Sequence, residues 1–429
     1  MNVWIEFEIN MGQLQKLPLQ PKKSIRYLYS PMHILLLSKK NPYPERDGEA
    51  IAIMQLAKGL AQNGCKVSIL YMNTQKHHFP VSEIPSELTQ LINFYAVTVN
   101  NAITPIGVLQ NLFVSTPYHV QRFFSSPYLS ALRQLISNNH FDIIQAEGLY
   151  LTQYFNLIPK SANTRFVYRS HNIESEIWGN IAANTSNFFK RWYLQIQTKK
   201  LAHYEKTIPQ NIDAIVPISI ADFSFYQQIT TTIPLHHTPT GIELDQSPIV
   251  SAVDFHSLYF LGGLDWLPNI EGLEWFIHEI FPKIIKILPP TTLHIAGRNG
   301  DERWKQLHHP QIKYHGEVEN AQKFAADKYI CIVPLLSGSG MKIKIIEAMH
   351  LGKAVVTTPK GAKGMPTGTE LHFYTAADAQ QFADTVIELL QSQDKVLQKT
   401  KLAQQFVDDT LSHLTITQSL IHFYQKISA

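Results

Sequence analysis

At 429 residues the chain is too long for one ordinary hydrophobic core, and its length predicts two large domains. Its 45% apolar and 17% charged residues are typical of a globular protein and exclude a largely disordered one. The formal net charge of +3 is too small to favour a nucleic-acid partner, so any anion-binding site must be local.

Cysteine usage and hydropathy indicate the compartment. Cys65 and Cys331 adjoin strand-like apolar runs, which favours buried thiols over a disulfide and therefore a reducing environment. The sequence lacks a run of about 18 apolar residues, and residues 1–30 lack the apolar core of a secretion signal. We therefore expect a soluble, cytoplasmic protein. Residues 1–30 are expected to be a disordered leader or to precede the true start of translation, with the first domain starting near Met32.

In the first half of the chain, short apolar runs alternate with segments of helical period, which is typical of parallel βαβ units. Strands are predicted at 32–38, 66–72, 142–146, 165–169 and 213–218. Between the first two, an apolar stripe of helical spacing stops at Asn63-Gly64, a favourable C-terminal stop. This half is predicted to be a doubly wound α/β domain.

The second half repeats the pattern. Strands are predicted at 258–261, 293–296, 330–336 and 354–356, and the clearest helix at 271–287. The two domains are expected to join near 240–243. In doubly wound sheets, ligands bind outside the carboxyl ends of the strands, so the loops after strands and the cleft between domains are the places to seek function.

The most informative of these loops follows the 330–336 run. Gly338, Ser339, Gly340 and Met341 form a glycine-rich turn into a helix, where backbone N–H groups and the helix N-terminus favour an anion such as a phosphate. The cations Lys342 and Lys344 follow this turn directly, and the carboxylate of Glu347 lies on the same face of the helix as Lys344. These three residues are therefore also predicted ligands. The alternative is an ordinary strand-to-helix turn with solvated lysines.

Other strand ends carry unusual residues. The turn-rich segment 41–49 delivers Gly48 to a helix start, and the segment 169–174 carries His171. Gly262 and Gly263 follow the 258–261 strand, and Arg298 lies in the turn 297–300. Two of these have a structural alternative, since a lone histidine after a strand is usually a capping or core residue and Arg298 fits an ordinary turn residue equally well.

These motifs together resemble the GT-B nucleotide-sugar glycosyltransferases, of the large retaining group that modifies bacterial polysaccharides and lipids (glycosyl transferases group 1 type). The resemblance runs from about Met32 to the C-terminus. It rests on the Pro-Tyr-Pro…Gly loop at 42–48, on His-Asn-x-Glu at 171–174 and on Leu-Asp-Trp-x-Pro-Asn at 264–269, together with the 338–349 segment and the turn 361–364.

The resemblance implies two Rossmann-like domains facing across a cleft. It assigns 31–245 to the acceptor side, 246–408 to the donor side and 409–429 to a helix that crosses back to the first domain. The implied reaction moves a sugar from a nucleotide-sugar donor to a hydroxyl of a sugar or lipid-linked saccharide, with retention of configuration and without a cofactor. Peripheral contact with the inner face of a membrane is compatible with such an acceptor.

By the same resemblance, Glu347 binds the ribose, His171 lies against the sugar near the reacting centre, and Lys342 and Lys344 act on the leaving diphosphate. The remaining donor ligands are expected to be Gly48, Gly262, Gly263, Gly338, Ser339, Gly340, Met341 and Arg298. Two departures stand out: many members have a glutamate where this chain has Ser339, and an arginine where it has Gly263. The absence of any Asp-x-Asp pair from the sequence predicts a reaction without a metal, with lysines and a helix N-terminus stabilising the leaving group.

Alternatives remain open at this stage. A nucleotide-sugar epimerase and a phosphorylase share the two-domain fold, although no lysine stands out as a pyridoxal phosphate carrier. A catalytically silent nucleotide-sugar binder would also fit the loss of a glutamate at Ser339. The aromatic, mildly basic segment 112–124 favours buried helix packing, with acceptor or membrane contact as the alternative.

Overall fold

The computed structural model describes residues 31–429 except 46, 76–77, 245–251, 308, 339 and 367. The expected leader at 1–30 and the predicted ligand Ser339 lie outside the described residues. Within them, both cysteines are free thiols, Cys331 buried and Cys65 half-buried. None of the helices in these ranges is both long and apolar enough to cross a bilayer.

The first half forms a six-stranded parallel sheet with helices on both faces. Its strand order is β3-β2-β1-β4-β5-β6. The strands are β1 (His33–Ser38), β2 (Lys66–Thr74), β3 (Ile92–Val99), β4 (Ile143–Glu147), β5 (Arg165–Ser170) and β6 (Ala214–Pro217). The helices are α1 (Gly48–Gln62), α2 (Ser86–Leu91), α3 (Pro105–Asn111), α4 (Tyr118–Gln121), α5 (Ser126–Asn138), α6 (Glu174–Ala183), α7 (Phe188–Thr207) and α8 (Ile220–Ile229).

The second half forms another six-stranded parallel sheet, in the order β12-β11-β10-β7-β8-β9. Its strands are β7 (Asp254–Leu261), β8 (Thr292–Ala296), β9 (Ile312–Gly316), β10 (Lys328–Val333), β11 (Ala354–Thr357) and β12 (Tyr374–Thr375). Its helices are α9 (Leu267–Trp275), α10 (Phe281–Ile287), α11 (Glu302–Lys305), α12 (Ala321–Ala326), α13 (Ile343–His350), α14 (Pro359–Ala362), α15 (Ala379–Gln391) and α16 (Gln393–Thr410). A π-helical turn at Phe276–Ile280 joins α9 to α10.

Both sheets have the same doubly wound topology. In each, the chain starts at a central strand, moves to one edge, returns to the centre and moves to the other edge. The order therefore reverses between β1 and β4 in the first sheet and between β7 and β10 in the second. Ligands of such sheets bind in the crevice at the carboxyl ends of these central pairs. The topology alone directs attention to the loops that follow β1, β4, β7 and β10.

The chain passes between the two sheets twice. Ile242 on the first passage pairs with the segment around Ser412 on the second, through hydrogen bonds from the Ile242 N–H to the Leu411 carbonyl at 3.0 Å and from the His413 N–H to the Ile242 carbonyl at 2.9 Å. A Cβ at Gly241 would lie 2.5 Å from the His413 Cα, so only glycine permits this approach. The two passages are thus held side by side.

The last helix, α17 (His413–Ser428), packs on the first sheet and against α1. Its side chains Leu420 and Tyr424 are fully buried in the hydrophobic core that also contains Ile34 of β1 and Ile143 of β4. The preceding helix α16 instead packs on α13 of the second sheet. The C-terminal segment therefore joins the two halves.

The predicted doubly wound α/β class is confirmed, with corrections to individual elements. The predicted strand 330–336 is Lys328–Val333, and the chain leaves the sheet at Pro334, which has no N–H for the ladder. The helix predicted at 271–287 begins at Leu267. The sequence patterns did not predict β3, β9 or β12.

Candidate functional site

The loops after β7 and β8 form one wall of the crevice in the second domain. The Gly262 N–H donates to the Ala296 carbonyl at 3.1 Å, and the Leu264 N–H donates to the Arg298 carbonyl at 2.9 Å. A Cβ placed at Gly263 would lie 3.9 Å from Arg298 Nε. The structure thus brings Gly262, Gly263 and Arg298 together, as their predicted role as ligands of one donor requires.

Lys344 lies in the first turn of α13, which follows β10, and its side chain reaches the loop after β7. Its ammonium group donates to Asn269 Oδ1 at 3.0 Å and lies 4.7 Å above the centre of the Phe260 ring. A Cβ at Gly262 would be only 2.5 Å from Lys344 Nζ, so the glycine leaves the space that the ammonium occupies. Burial lowers the pKa of Lys344 to about 8, although Cys331 and Glu347 act in the opposite direction.

Lys342 is placed differently. It is the N-cap residue of α13, and its ammonium donates to the main-chain carbonyls of Gly340 at 2.5 Å and Lys363 at 3.3 Å. The side chain is only 5% exposed. Lys342 therefore links the loop that contains Gly338 and Gly340, called here the glycine loop, to the turn 361–364.

The glycine loop is an electropositive region. Burial and, to a smaller extent, the nearby cations Lys360, Lys344 and Lys363 together lower the pKa of Lys342 to about 8. Gly338 and Gly340 have φ values of 102° and 75°, in the left-handed region that favours glycine. Met341 is half-buried against the second-domain core. A bound anion would offset the mutual repulsion of these lysines and complement the N-terminus of α13.

Glu347 lies one turn further along α13 and is exposed to a cavity of about 220 Å³ between the two domains. Burial raises the pKa of the Glu347 carboxyl above its ordinary value, although the Lys344 ammonium acts in the opposite direction. Lys58 of α1 and Glu243 line the opposite side of the cavity and form an ion pair at 3.0 Å. The Glu347 carboxylate is therefore available to hydroxyl groups of a ligand in this cavity.

His171 is held by a partner that sequence reasoning missed. Its Nε2 lies 2.6 Å from Oε2 of Glu147, the last residue of β4, which has no exposed side-chain surface. Glu147 also accepts from Gln145 Nε2 at 2.6 Å and from Arg169 Nη1 at 3.3 Å. Burial opposes ionisation, but Arg169 and His171 outweigh it, so the pKa of Glu147 is lowered. Glu147 therefore fixes the His171 ring, and the signal in the sequence was an acid at the end of a central strand.

The loop after β1 completes the first-domain wall. Gly48 is the first residue of α1, next to the N-cap Asp47, and a Cβ at Gly48 would meet no atom within 4 Å. The Glu49 carboxylate lies 3.2 Å from Lys39 Nζ and 3.1 Å from Lys40 Nζ. Burial opposes ionisation, yet these two lysines lower the pKa of Glu49 to about 2. No sequence motif predicted a role for these charged groups.

The two walls approach each other across the cleft. A Cβ at Gly340 of the second domain would lie 4.0 Å from Oδ1 of Asn172, the residue after His171 in the first domain. The glycine loop and the His171 segment therefore face each other. No group of three or more His, Cys, Asp or Glu side chains that could hold a metal is found in the part of the chain that the structure describes.

The sequence and the fold each match known proteins. Residues 256–392, most of the second domain, match the sequence model of a family described as glycosyl transferases group 1. A Klebsiella pneumoniae protein, described as an uncharacterized 44.6 kDa protein in the cps region, is 24% identical over 368 residues, which are 82% of this chain and 90% of that protein.

Two solved structures illustrate the likeness in fold. Sucrose-phosphate synthase from Thermosynechococcus elongatus has a TM-score of 0.66 at 16% identity, over 92% of this chain and 99% of the other. HepE from Anabaena, in complex with UDP and glucose, has a TM-score of 0.60 at 15% identity, over 92% of this chain and 99% of the other. The two sheets of this chain have the same doubly wound topology, and together with these likenesses they establish the GT-B fold.

Proposed function

We propose that this protein is a nucleotide-sugar-dependent glycosyltransferase that transfers a sugar to a hydroxyl group of a saccharide acceptor. The observation that carries the proposal is the position of Lys344. Its ammonium lies beside Gly262 and Asn269, at the N-terminus of a helix that follows a central strand. The match of residues 256–392 to glycosyl transferases group 1 and the UDP in the HepE complex support a nucleoside diphosphate as the ligand.

In the proposed reaction, the bond between the anomeric carbon and the diphosphate breaks while the acceptor hydroxyl attacks that carbon. Lys344 and the N–H groups of the 338–342 loop stabilise the negative charge that develops on the leaving diphosphate. Lys342 acts on the same charge through the loop conformation that it holds. Glu347 binds the ribose hydroxyls, and Arg298 contacts the nucleotide. Because these groups supply the positive charge, we propose that turnover does not require a divalent cation.

The first domain is proposed to hold the acceptor. His171 lies against the transferred sugar, and because its Nε2 is engaged with Glu147, contact with the substrate falls to Nδ1 and the ring carbons. Retention of anomeric configuration is proposed from the resemblance of the motifs. The cps-region relative supports a role in bacterial polysaccharide synthesis. The alternative of glycolipid synthesis, the cytoplasmic location, a lipid-linked saccharide as acceptor and peripheral membrane contact are proposed from the resemblance of the motifs.

The test begins with the donor. A panel of nucleotide sugars is screened by thermal shift, because a ligand that binds only the folded state raises the apparent stability. The donor that gives the largest shift is then incubated with saccharide acceptors, with and without EDTA, and release of nucleoside diphosphate is measured. Release that depends on an acceptor and survives EDTA is the expected result.

Two other results would redirect the assignment. Product that forms without any acceptor would favour the epimerase alternative, whereas a donor that binds and stays intact under all conditions would favour a silent binding protein. His171→Ala serves as the matched variant, since it should keep the thermal shift with the nucleoside diphosphate and lose most turnover. Loss of turnover in EDTA, restored by manganese or magnesium, would overturn the metal-independent mechanism.

A further inference from the structure

The first domain carries a surface of exposed apolar side chains that its fold does not require. Phe113 is 89% exposed, Phe189 79% and Phe188 72%. We define the surface, called here the aromatic face, by the exposed side chains of α3 with its flanking residues and of the start of α7: Ile103, Ile106, Leu109, Phe113, Phe188, Phe189 and Trp192. Exposed apolar patches of this kind mark interaction sites on soluble domains.

The two parts of the aromatic face belong to one surface. Gln197 and Lys200 of α7 both donate to Asn111 at the end of α3, at 2.8 Å and 2.5 Å. Tyr118, whose hydroxyl accepts from the Thr104 N–H just before α3, neighbours Tyr193 of α7. The end of α3 therefore lies against α7, and Tyr118 connects the residue before α3 with the same helix.

The orientation of α7 extends the surface from there. Phe189 precedes Lys200 by about three helical turns and therefore lies on the same side of α7. Because Lys200 contacts the end of α3, Phe189 lies on the side of α7 that faces α3.

The segments that form the aromatic face carry no negative charge. Neither the sequence from 88 to 141 nor the sequence from 177 to 204 contains an Asp or Glu. The same segments contain the cations Arg122, Arg133, Lys190, Arg191, Lys199 and Lys200. Aromatic side chains with Lys190 and Arg191 beside them in the sequence, and no acid in their own segments, complement a surface that is apolar below an anionic layer, as the headgroup region of an acidic bilayer is.

The aromatic face adjoins the first-domain wall of the cleft. The His119 ring of α4 lies 3.8 Å from the Trp178 ring of α6, and Trp178 Nε1 donates to the Tyr150 hydroxyl at 3.3 Å. Tyr150 in turn donates to Glu174, three residues after His171, at 2.6 Å. A short series of packed rings therefore connects α4, beside the aromatic face, with the His171 segment.

We propose that the aromatic face docks the protein on an anionic lipid bilayer, with Phe113, Phe188, Phe189 and Trp192 in the interface and Lys190 and Arg191 on the headgroups. The occupant is the bilayer surface itself. One consequence rests on the proposed function: the same contact would present the headgroup of a lipid-linked acceptor to the His171 side of the cleft. Binding to vesicles does not depend on turnover, so the two proposals fail separately.

The experiment is co-sedimentation of the full chain with vesicles of phosphatidylcholine and phosphatidylglycerol in equal parts, compared with vesicles of phosphatidylcholine alone. We expect binding to the anionic vesicles, weakened by salt. The triple variant Phe188→Ser, Phe189→Ser and Trp192→Gln should lower the apparent affinity by about a hundredfold or more. Lys190→Glu should lower it by about tenfold and spare the fold, since a carboxylate suits the first turn of α7.

The matched control is Leu371→Ser with Leu402→Gln, which removes two exposed apolar side chains from the second domain and should bind like the unmodified chain. Circular dichroism verifies that each variant is folded. The proposal is overturned by the absence of binding to anionic vesicles, or by equal binding of the triple variant. A concentration-dependent dimer that the triple variant abolishes, without vesicle binding, would instead assign the aromatic face to a second copy of the chain.

Discussion

At the scale of single residues, the two lysines of the glycine loop have different tasks although they are two positions apart. Lys344 Nζ contacts one side-chain amide and an aromatic ring, and it lies next to the space left by Gly262. Lys342 Nζ is engaged with two main-chain carbonyls. The first geometry suits a group that binds an incoming diphosphate, and the second suits a group that shapes the loop.

Substitution of the two lysines should separate these tasks. Lys344→Ala removes a charge-assisted contact to the leaving group, which costs on the order of 2 to 4 kcal/mol in the barrier, a hundredfold or more in rate. Its thermal stability should change little. Lys342→Ala should also lower turnover, but together with a stability loss of about 1 to 3 kcal/mol, because two partly buried main-chain carbonyls lose their donor. Turnover and Tm are measured for both variants, and unchanged rates in both would refute the phosphate assignment.

The lowered pKa of Lys344 predicts that ligand affinity falls with rising pH while the stability of the free protein rises. Burial places the pKa of this ammonium at about 8 in the folded protein, against 10.5 for a solvated lysine. Above about pH 8 the folded protein loses the charge, so the affinity for a nucleoside diphosphate should fall by up to about tenfold per pH unit. The free protein gains stability over the same range, because the unfolded chain still binds the proton.

Calorimetric titration of the nucleoside diphosphate between pH 7 and about 9.5 checks this dependence, with two variants as comparison. Lys344→Gln should bind weakly at every pH. Lys353→Gln is the control: burial lowers the pKa of Lys353 to about 8 as well, but its ammonium bonds the Ala326 carbonyl away from the loop. An unchanged affinity across pH 8 in the unmodified chain would contradict the role of Lys344.

At the scale of elements, sequence patterns located the central strands and one edge strand, β6, and missed the other three edge strands. The strands β3, β9 and β12 each lie at an edge. Edge strands expose one face, as in β9, where Lys313 and His315 are exposed between more buried neighbours. The continuous apolar run that marks a buried parallel strand is therefore missing.

A similar limit applies to the candidate functional site. The loop glycines can be read from the sequence, but the pairing of Glu147 with His171 depends on two strands whose adjacency only the sheet order defines.

The segment 112–124 illustrates the limit of composition. Its composition favours buried helix packing, and the side chains of Tyr118, Val120 and Phe123 are indeed buried. This interpretation fails for Phe113 and Phe124, which are exposed. Spacing cannot separate these two sets because the segment contains only the single short helix α4, with no extended helical period.

Two glycines at opposite ends of α13 offer a matched test of the loop. Gly340 before the helix and Gly352 after it have left-handed φ values of 75° and 66°, and both have room for a Cβ. Substitution by alanine should cost each variant about 1 to 2 kcal/mol of stability through backbone strain alone. Only Gly340→Ala should also weaken binding of a nucleoside diphosphate, by about tenfold, because only its backbone lies in the proposed anion site. Equal binding by the two variants, measured by calorimetry, would remove the glycine loop from the site.

At the scale of the whole molecule, the cleft is spanned by contacts of limited extent. The glycine loop approaches Asn172, and Lys58 of the first domain pairs with Glu243 on the first passage between the sheets. The segments around Ile242 and Ser412 form the two connections, and they lie side by side. Paired connections of this kind restrict the domains to a hinge motion rather than free reorientation.

We therefore predict that a nucleotide closes the cleft. The phosphate ligands around Lys344 belong to the second domain and His171 belongs to the first, so a donor that contacts both favours the conformation in which they are nearest. Small-angle scattering should show a smaller radius of gyration at a saturating concentration of the nucleoside diphosphate than in the free protein. Lys344→Ala at the same concentration is the control, since it should bind too weakly to compact. An unchanged radius in the unmodified chain, at a concentration where calorimetry proves saturation, would mean that the cleft is closed before the donor arrives and that the approach of Gly340 to Asn172 belongs to the resting conformation.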